Sequence, residues 1–275
     1  ALQPVVDGVF RSTDFPPFFY PDVNSPYLTG FTLGMNLTLI TLSFNEIVKV
    51  SSFVPSTITI LSAIEGYTLT GGTRTTSVNS QTLTFTLNAV DIDALKQRPN
   101  VAKSSADTNI NFGSGMIMDI RSNAISPITT LLSNLSITYV RDAISPVLSG
   151  FDFDMTNNLI TFSFSEAVNV TSADYTQITF QSNANSALAA ESYTLKAGVF
   201  VSRSTDWRVF TFSLTLSDRR SLKLKFRIVE RVQTLNMWIT SGMIRDVSGN
   251  VVVPISQSAA MRVGTFNQDG TPPDR

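Results

Sequence analysis

Carboxylates that return at fixed spacing are the residues of this chain best placed to do chemistry. Glu46, in Ser43-Phe-Asn-Glu-Ile-Val48, recurs as Glu166 in Ser163-Phe-Ser-Glu-Ala-Val168. Asp119 and Asn123 recur as Asp246 and Asn250. Asp152 and Asp154 add two more carboxylates in the second copy, where the first has Thr32 and Gly34. Such hard oxygens suit calcium, which takes six to eight of them. The candidates are Glu46, Asp119, Asp152, Asp154, Glu166 and Asp246, and calcium would be the sole cofactor. The simpler reading needs no metal: Asp and Asn hydrogen-bond their own turns, and Asp-x-x-Gly-Asn makes a good hairpin connection. Asp91 and Asp93 form a carboxylate pair of the kind that glycoside hydrolysis uses. They fall in a segment expected to be an exposed turn without an aromatic platform, so no catalytic residue is assigned. With no histidine and no cysteine in the chain, a Ser-His-Asp triad, thiolate chemistry and disulfides are all excluded. The expectation is a protein that is not an enzyme.

Three further features could meet a partner. Arg219-Arg-Ser-Leu-Lys-Leu-Lys-Phe-Arg227 is a basic cluster with no evident counterpart around Leu95-Lys-Gln-Arg98. Read as a strand, it puts Leu222, Leu224 and Phe226 on one face and Lys223, Lys225 and Arg227 on the other. That row would face an acidic glycan or a neighbouring subunit, or would simply be a charged edge that resists aggregation. Phe15, Phe18, Phe19 and Tyr20 form an aromatic knot ahead of the first linker, fit to plug a junction or anchor a partner. Glycosylation sequons stand at Asn36, Asn134 and Asn169, about as many as chance allows in a chain rich in Asn, Ser and Thr.

These residues sit within a duplicated unit. Pro26-Tyr-Leu-Thr-Gly-Phe31 recurs as Pro146-Val-Leu-Ser-Gly-Phe151 at an offset of 120, and Ser114-Gly-Met-Ile117 as Ser241-Gly-Met-Ile244 at 127. A whole-unit repeat fixes the architecture before any local motif does. Apolar residues alternate with Thr or Ser in Leu37–Phe44, Thr57–Leu61, Thr82–Leu87 and Leu135–Tyr139, and again in Leu159–Phe164, Gln177–Phe180, Val209–Leu214 and Leu235–Ile239. That period of two predicts strands with one buried face. Val90–Lys96 alone reads as helical, a single short turn. The added residues around Asn183–Ala190 predict an exposed loop in the second unit.

The fold class is therefore all-β: two tandem antiparallel immunoglobulin-like β-sandwich domains and an N-terminal orphan strand segment. The expected boundaries are 1–25 for terminal strands of a preceding unit or a donor segment, 26–145 and 146–268 for the two repeats, and 269–275 for a linker onward. Asp22, Asp142 and Asp269 mark proline-bearing linkers, which proline stiffens. Beginning at Ala1 and ending past a third linker, the chain reads as a window from a longer array, or as a subunit whose first segment completes a neighbour's sheet.

Charge excludes other classes. Twenty Lys and Arg against 21 Asp and Glu leave no bulk attraction to nucleic acid or anionic membrane. Charged residues make up only 15% of the chain, below the usual quarter. No apolar run is long enough to span a membrane as a helix.

The linker ending in Ser-Pro, then Phe-Ser-Glu-Ala-Val, Tyr-Thr-Leu and Ile-Arg-Asp-Val-Ser-Gly-Asn, resembles the tandem bacterial-type immunoglobulin-like repeats of large extracellular and cell-surface proteins. The likeness runs from Pro26 to Pro273. It implies a calcium-tolerant β-sandwich used in adhesion, surface layers or extracellular filaments. The first unit departs from it, since Met118-Asp-Ile-Arg-Ser-Asn123 lacks the glycine of Asp246-Val-Ser-Gly-Asn250. The expected role is a non-enzymatic extracellular building block of a filament, surface coat or adhesive stalk, with copies of itself or neighbouring repeats as partners. The alternatives are a carbohydrate-binding or cell-adhesion module and a particle or viral coat protein.

Overall fold

Alternating apolar and hydroxyl-bearing residues give extended chain with one face for a core and one for solvent. The computed structural model, which describes residues 21–130 and 135–268, is built mainly of such segments. The first repeat contains β1 (Leu28–Gly34), β2 (Leu39–Val48), β3 (Thr59–Leu61), β4 (Gly66–Thr68), β5 (Thr73–Arg74), β6 (Ser80–Thr86), β7 (Asn109–Asn111) and β8 (Ser136–Val140). The second contains β9 (Leu148–Asp154), β10 (Leu159–Phe164), β11 (Val168–Asn169), β12 (Ile178–Gln181), β13 (Ser192–Thr194), β14 (Gly198–Arg203), β15 (Val209–Leu214), β16 (Asn236–Ile239), β17 (Arg245–Asp246), β18 (Met261–Arg262) and β19 (Phe266–Asn267). One helix interrupts each: α1 (Ala89–Gln97) and α2 (Leu216–Leu224).

The larger sheets run β5-β6-β2-β1-β8 and β14-β15-β10-β9-β19, strand for strand the same order. Register repeats as well: Phe31 faces Leu42 across β1 and β2, and Phe151 faces Phe162 across β9 and β10. The smaller sheets are β4-β3-β7, β13-β12-β16-β18 and the pair β11-β17. Inward side chains from both sheets of the first repeat join one buried cluster, including Leu33, Ile40, Leu42, Ile60, Phe85 and Ile110. The second cluster is richer in rings. Phe162 packs against Phe151, Phe164, Phe210 and Phe212 with centroids 5.3–6.4 Å apart, a spacing at which tilted and edge-on aromatic pairs attract.

Three expectations need correcting. The sheets are not wholly antiparallel, because β8 lies parallel to β1 and β19 parallel to β9. Residues around Val90–Lys96 form a nine-residue helix, longer than one turn, and Asp91 and Asp93 within it are buried. The basic cluster is no strand: most of it lies in α2, which buries Leu222 while Leu224 is 82% and Phe226 61% exposed. Local capping beats the alternation there. Thr215 Oγ1 accepts from the Asp218 backbone N–H at 3.1 Å and donates to its carboxylate at 2.6 Å, closing the first helical turn. The cluster also has a counterpart after all, since α2 repeats α1 and Lys223 stands where Lys96 does.

The loop between β12 and β13 is six residues longer than that between β3 and β4, and it holds the added segment. The expected orphan strand, with Phe18, Phe19 and Tyr20, and the third linker from Asp269 lie outside the described residues. No helix of the described residues is long and apolar enough to cross a membrane.

Candidate functional site

Each repeat closes a turn with one aspartate and one asparagine. Asp119 Oδ1 accepts from the backbone N–H of Arg121 and Asn123, both at 2.8 Å, while its Oδ2 accepts from Asn123 Nδ2 at 2.7 Å. In the second repeat, Asp246 accepts from the Asn250 N–H at 2.7 Å and from its Nδ2 at 2.8 Å. The same amide nitrogens reach back to the linkers, donating to the carbonyls of Asp22 and Asp142 at 3.0 and 3.2 Å. The turn expected from Asp-x-x-Gly-Asn thus also ties down the linker ahead of its own repeat.

The glycine missing from the first copy has a backbone consequence. Gly249 has φ +91°, and its counterpart Ser122 is held at φ +72°, left-handed territory that disfavours a β-carbon. Ser122→Gly should therefore stabilise the first repeat by about 0.5–1 kcal/mol, read as a higher midpoint in chemical denaturation. No gain would mean that the Ser122 turn is unstrained.

These turns hold one corner of a carboxylate triad in each repeat. Asp22, Glu46 and Asp119 bring one oxygen apiece within 4.8 Å of one another, and so do Asp142, Glu166 and Asp246. The two sets differ in what covers them. Asp142, Glu166 and Asp246 are all buried, whereas Asp22 is exposed and Glu46 half-buried. Lys96 makes the difference. Its Nζ lies 2.8 Å from Asp142 Oδ2 and closer still to Glu166 Oε2, with 6% of the side chain exposed.

Helix α1 aims that lysine. Ile92 and Leu95 anchor it in the first core, and Asp91 Oδ1 accepts from Tyr67 Oη, Thr70 N and Thr70 Oγ1, each at 2.9 Å. Asp93, Lys96 and Gln97 are left facing the second repeat. Asp93 Oδ2 meets Arg208 Nε and Nη2 at 2.9 Å, and Gln97 Nε2 donates to the Thr205 carbonyl at 3.3 Å. Lys103 Nζ donates to the Lys96 carbonyl at 2.8 Å and so closes the helix end.

Electrostatics at this joint are strong. Burial works against the Lys96 ammonium, but its bonds to Asp142 and Glu166 outweigh that and raise its pKa, so it stays charged. Glu166 is pushed up, chiefly by burial and despite Lys96, and its Oε1 has no hydrogen bond. Asp246 is also pushed up by burial, with Asp142 adding to the effect against the Asn250 bonds. Asp119 goes the other way: burial opposes ionisation, yet the bonds from Asn123, Arg121 and Ser122 hold it low. Chemically the second triad is an ionic joint. A divalent cation does not fit it with Lys96 in place, because the ammonium already holds Asp142 and Glu166, two of its three carboxylates.

Of the calcium candidates, Glu46 and Asp119 are brought together in one triad, and Glu166 and Asp246 in the other. Asp152 and Asp154 belong to neither; Asp152 caps the Thr265 N–H at 2.7 Å and Asp154 the Asn157 N–H at 3.0 Å. Lys223, Lys225 and Arg227 lie on or just beyond α2. Asn36 Oδ1 accepts from the Ala143 N–H at 3.3 Å, and Asn169 Oδ1 from Thr171 N and Oγ1, while Asn134 lies outside the described residues. Sequence reasoning overlooked Lys96 and took Asp22 and Asp142 for linker markers only. The signal was there in the pairing of Lys96 with Lys223 at offset 127.

No family model and no curated protein matches the chain. Among solved structures, surface layer protein SbsC, domains 1-6, aligns at a TM-score of 0.30 and 11% identity, covering 89% of this chain and 26% of that one. The N-terminal part of the bacterial S-layer protein SbsC gives 0.29 and 11%, over 58% and 35%. The full extracellular region of plexin A4 gives 0.24 and 9%, over 96% and 17%. This chain spans at most 35% of the length of the SbsC structures it resembles, and likeness at this level is not a fold match.

Proposed function

We propose that this chain is a non-enzymatic structural protein of the cell surface or extracellular space, built from tandem immunoglobulin-like sandwiches that stack end to end. One observation carries the reading: two copies of one β topology are locked together through a buried lysine paired with Asp142 and Glu166, with Asp93 and Arg208 paired beside them. A joint of that kind fixes the angle between units, which a load-bearing string or coat needs and a lone binding module does not. The chemistry of the chain agrees, because the shared carboxylates are engaged in holding turns and a helix.

Calcium, glycans at the sequons and the assignment of 26–145 and 146–268 as separate domains belong to the same proposal. Its test is imaging. Negative-stain electron microscopy of concentrated protein should reveal ordered strings or sheets whose repeat matches two units. Monodisperse single particles at every concentration would overturn the reading.

A further inference from the structure

The two carboxylate triads are repeat equivalents, and among the described residues the one in the second repeat holds a lysine of the adjoining unit. Asp142 and Glu166, which converge with Asp246, hold the Lys96 ammonium from the unit before. Asp22, Glu46 and Asp119 converge just as closely in the first repeat, on a face that no preceding unit covers among the described residues. One neighbouring position follows the same pattern: Ile47 is 47% exposed where its counterpart Ala167 is fully buried. An acidic cluster alone would mean little. What it accepts is shown by its own duplicate, which holds a lysine ammonium delivered by a helix of the adjoining repeat.

We propose that Asp22, Glu46 and Asp119 form a socket for a lysine ammonium of another repeat, and that a second copy of this chain supplies it through Lys223 on α2. This rests on the end-to-end reading above and names its joint. Lys223 occupies the helical position of Lys96, at the same place in a helix of the same length. The surroundings suit the match: Arg219, Arg220, Lys223, Lys225 and Arg227 gather in and just after α2, while the socket offers three carboxylates. Opposite charges of this sort steer association and fix register more than they add affinity.

The copy-to-copy joint is weaker than the internal one, for a reason written in the sequence. Asp93 is replaced by Arg220 and Arg208 by Gln81 at the equivalent positions, so the second ion pair does not recur. The socket and its lysine act without it.

Complementary variants test this directly, read by sedimentation velocity on the whole chain. Wild type should associate reversibly with rising concentration, and about tenfold more weakly at high salt. Lys223→Ser, which keeps the socket, and Asp22→Asn/Glu46→Gln, which keeps the lysine, should each lose self-association by about tenfold or more. Mixed one to one, the two should form a complex that stops at a dimer. If both variants assemble as wild type does, the socket assignment falls while the end-to-end reading stands. If wild type never associates, both fall. Calcium titration by calorimetry separates the other source of positive charge: binding lost in Asp22→Asn/Glu46→Gln, with assembly indifferent to Lys223, would make the triad a metal site and overturn the lysine proposal.

Discussion

Lys96→Met should destabilise the second repeat and its junction by about 3 kcal/mol or more, because it leaves buried carboxylates without their counter-charge. Both tryptophans, Trp207 and Trp238, lie in the second repeat, so urea unfolding followed by tryptophan fluorescence reports on that side of the joint. The loss is specific to charge balance. Adding Asp142→Asn and Glu166→Gln to Lys96→Met should recover much of it, since a neutral, well-filled site often matches a buried ion pair in stability. Arginine should not substitute freely at position 96, because its planar fork is larger and differently shaped from an ammonium. A Lys96→Met protein that unfolds with the wild-type midpoint would show that the joint contributes nothing.

The same site sets a pH dependence whose sign can be worked out. Glu166 and Asp246 are raised above their ordinary values in the folded protein. A raised carboxyl binds its proton more tightly folded than unfolded, so the second repeat gains stability as pH falls from neutral towards the ordinary carboxylate range. Lys96 is raised as well, and its contribution is complete below its ordinary value of 10.5 and flat across this window. Without Lys96 the carboxyls hold their protons to higher pH. The penalty of Lys96→Met should therefore shrink on acidification, and a penalty constant between neutral pH and about 5 would contradict the assignment.

How much of this was legible in the sequence depended on the range of each interaction. Strand positions came through well, because alternation in segments such as Val209–Leu214 is a local pattern set by one buried face. The parallel pairs β1 with β8 and β9 with β19 did not, since period-two patterning does not encode strand direction. Leu222 to Arg227 alternates like a strand, yet Thr215 seven residues earlier commits the chain to a helix. The turns of Asp119 and Asp246 were readable as turns. Their convergence with Asp22 and Asp142, about a hundred residues away along the chain, was not, and neither was a lysine crossing from one unit to the next. Repeats offered a way in: position-by-position comparison pairs Lys96 with Lys223 and Asp91 with Asp218 before any fold is known.

That second pairing predicts the other large effect. Asp218 sits fully buried at the start of α2, where Oδ1 accepts from Tyr193 Oη at 2.8 Å and Lys196 N at 3.0 Å, and Oδ2 from Thr215 Oγ1 at 2.6 Å and Ala197 N at 3.3 Å. Burial opposes its charge, but these bonds prevail and hold its pKa low. Asp218→Ala strands several buried donors at once and should cost about 3 kcal/mol or more, since even one hydrogen bond to a charged group is worth about 1.5–3 kcal/mol. A depressed carboxyl stabilises above its ordinary pKa and stops doing so as pH falls through the folded value, so the Asp218→Ala penalty should fade only in strong acid. Asp91 plays the same part for α1, where Tyr67 takes the place of Tyr193 and the Tyr67 hydroxyl pKa is pushed up to about 12 by burial and by Asp91. The two substitutions should nevertheless differ in reach. Helix α1 carries Lys96 into the second repeat, so Asp91→Ala should loosen the joint and lower the tryptophan-reported midpoint, although both tryptophans are in the other repeat. Asp218→Ala should leave the first repeat untouched. A tryptophan-reported midpoint unchanged by Asp91→Ala would mean that α1 does not transmit stability across the junction.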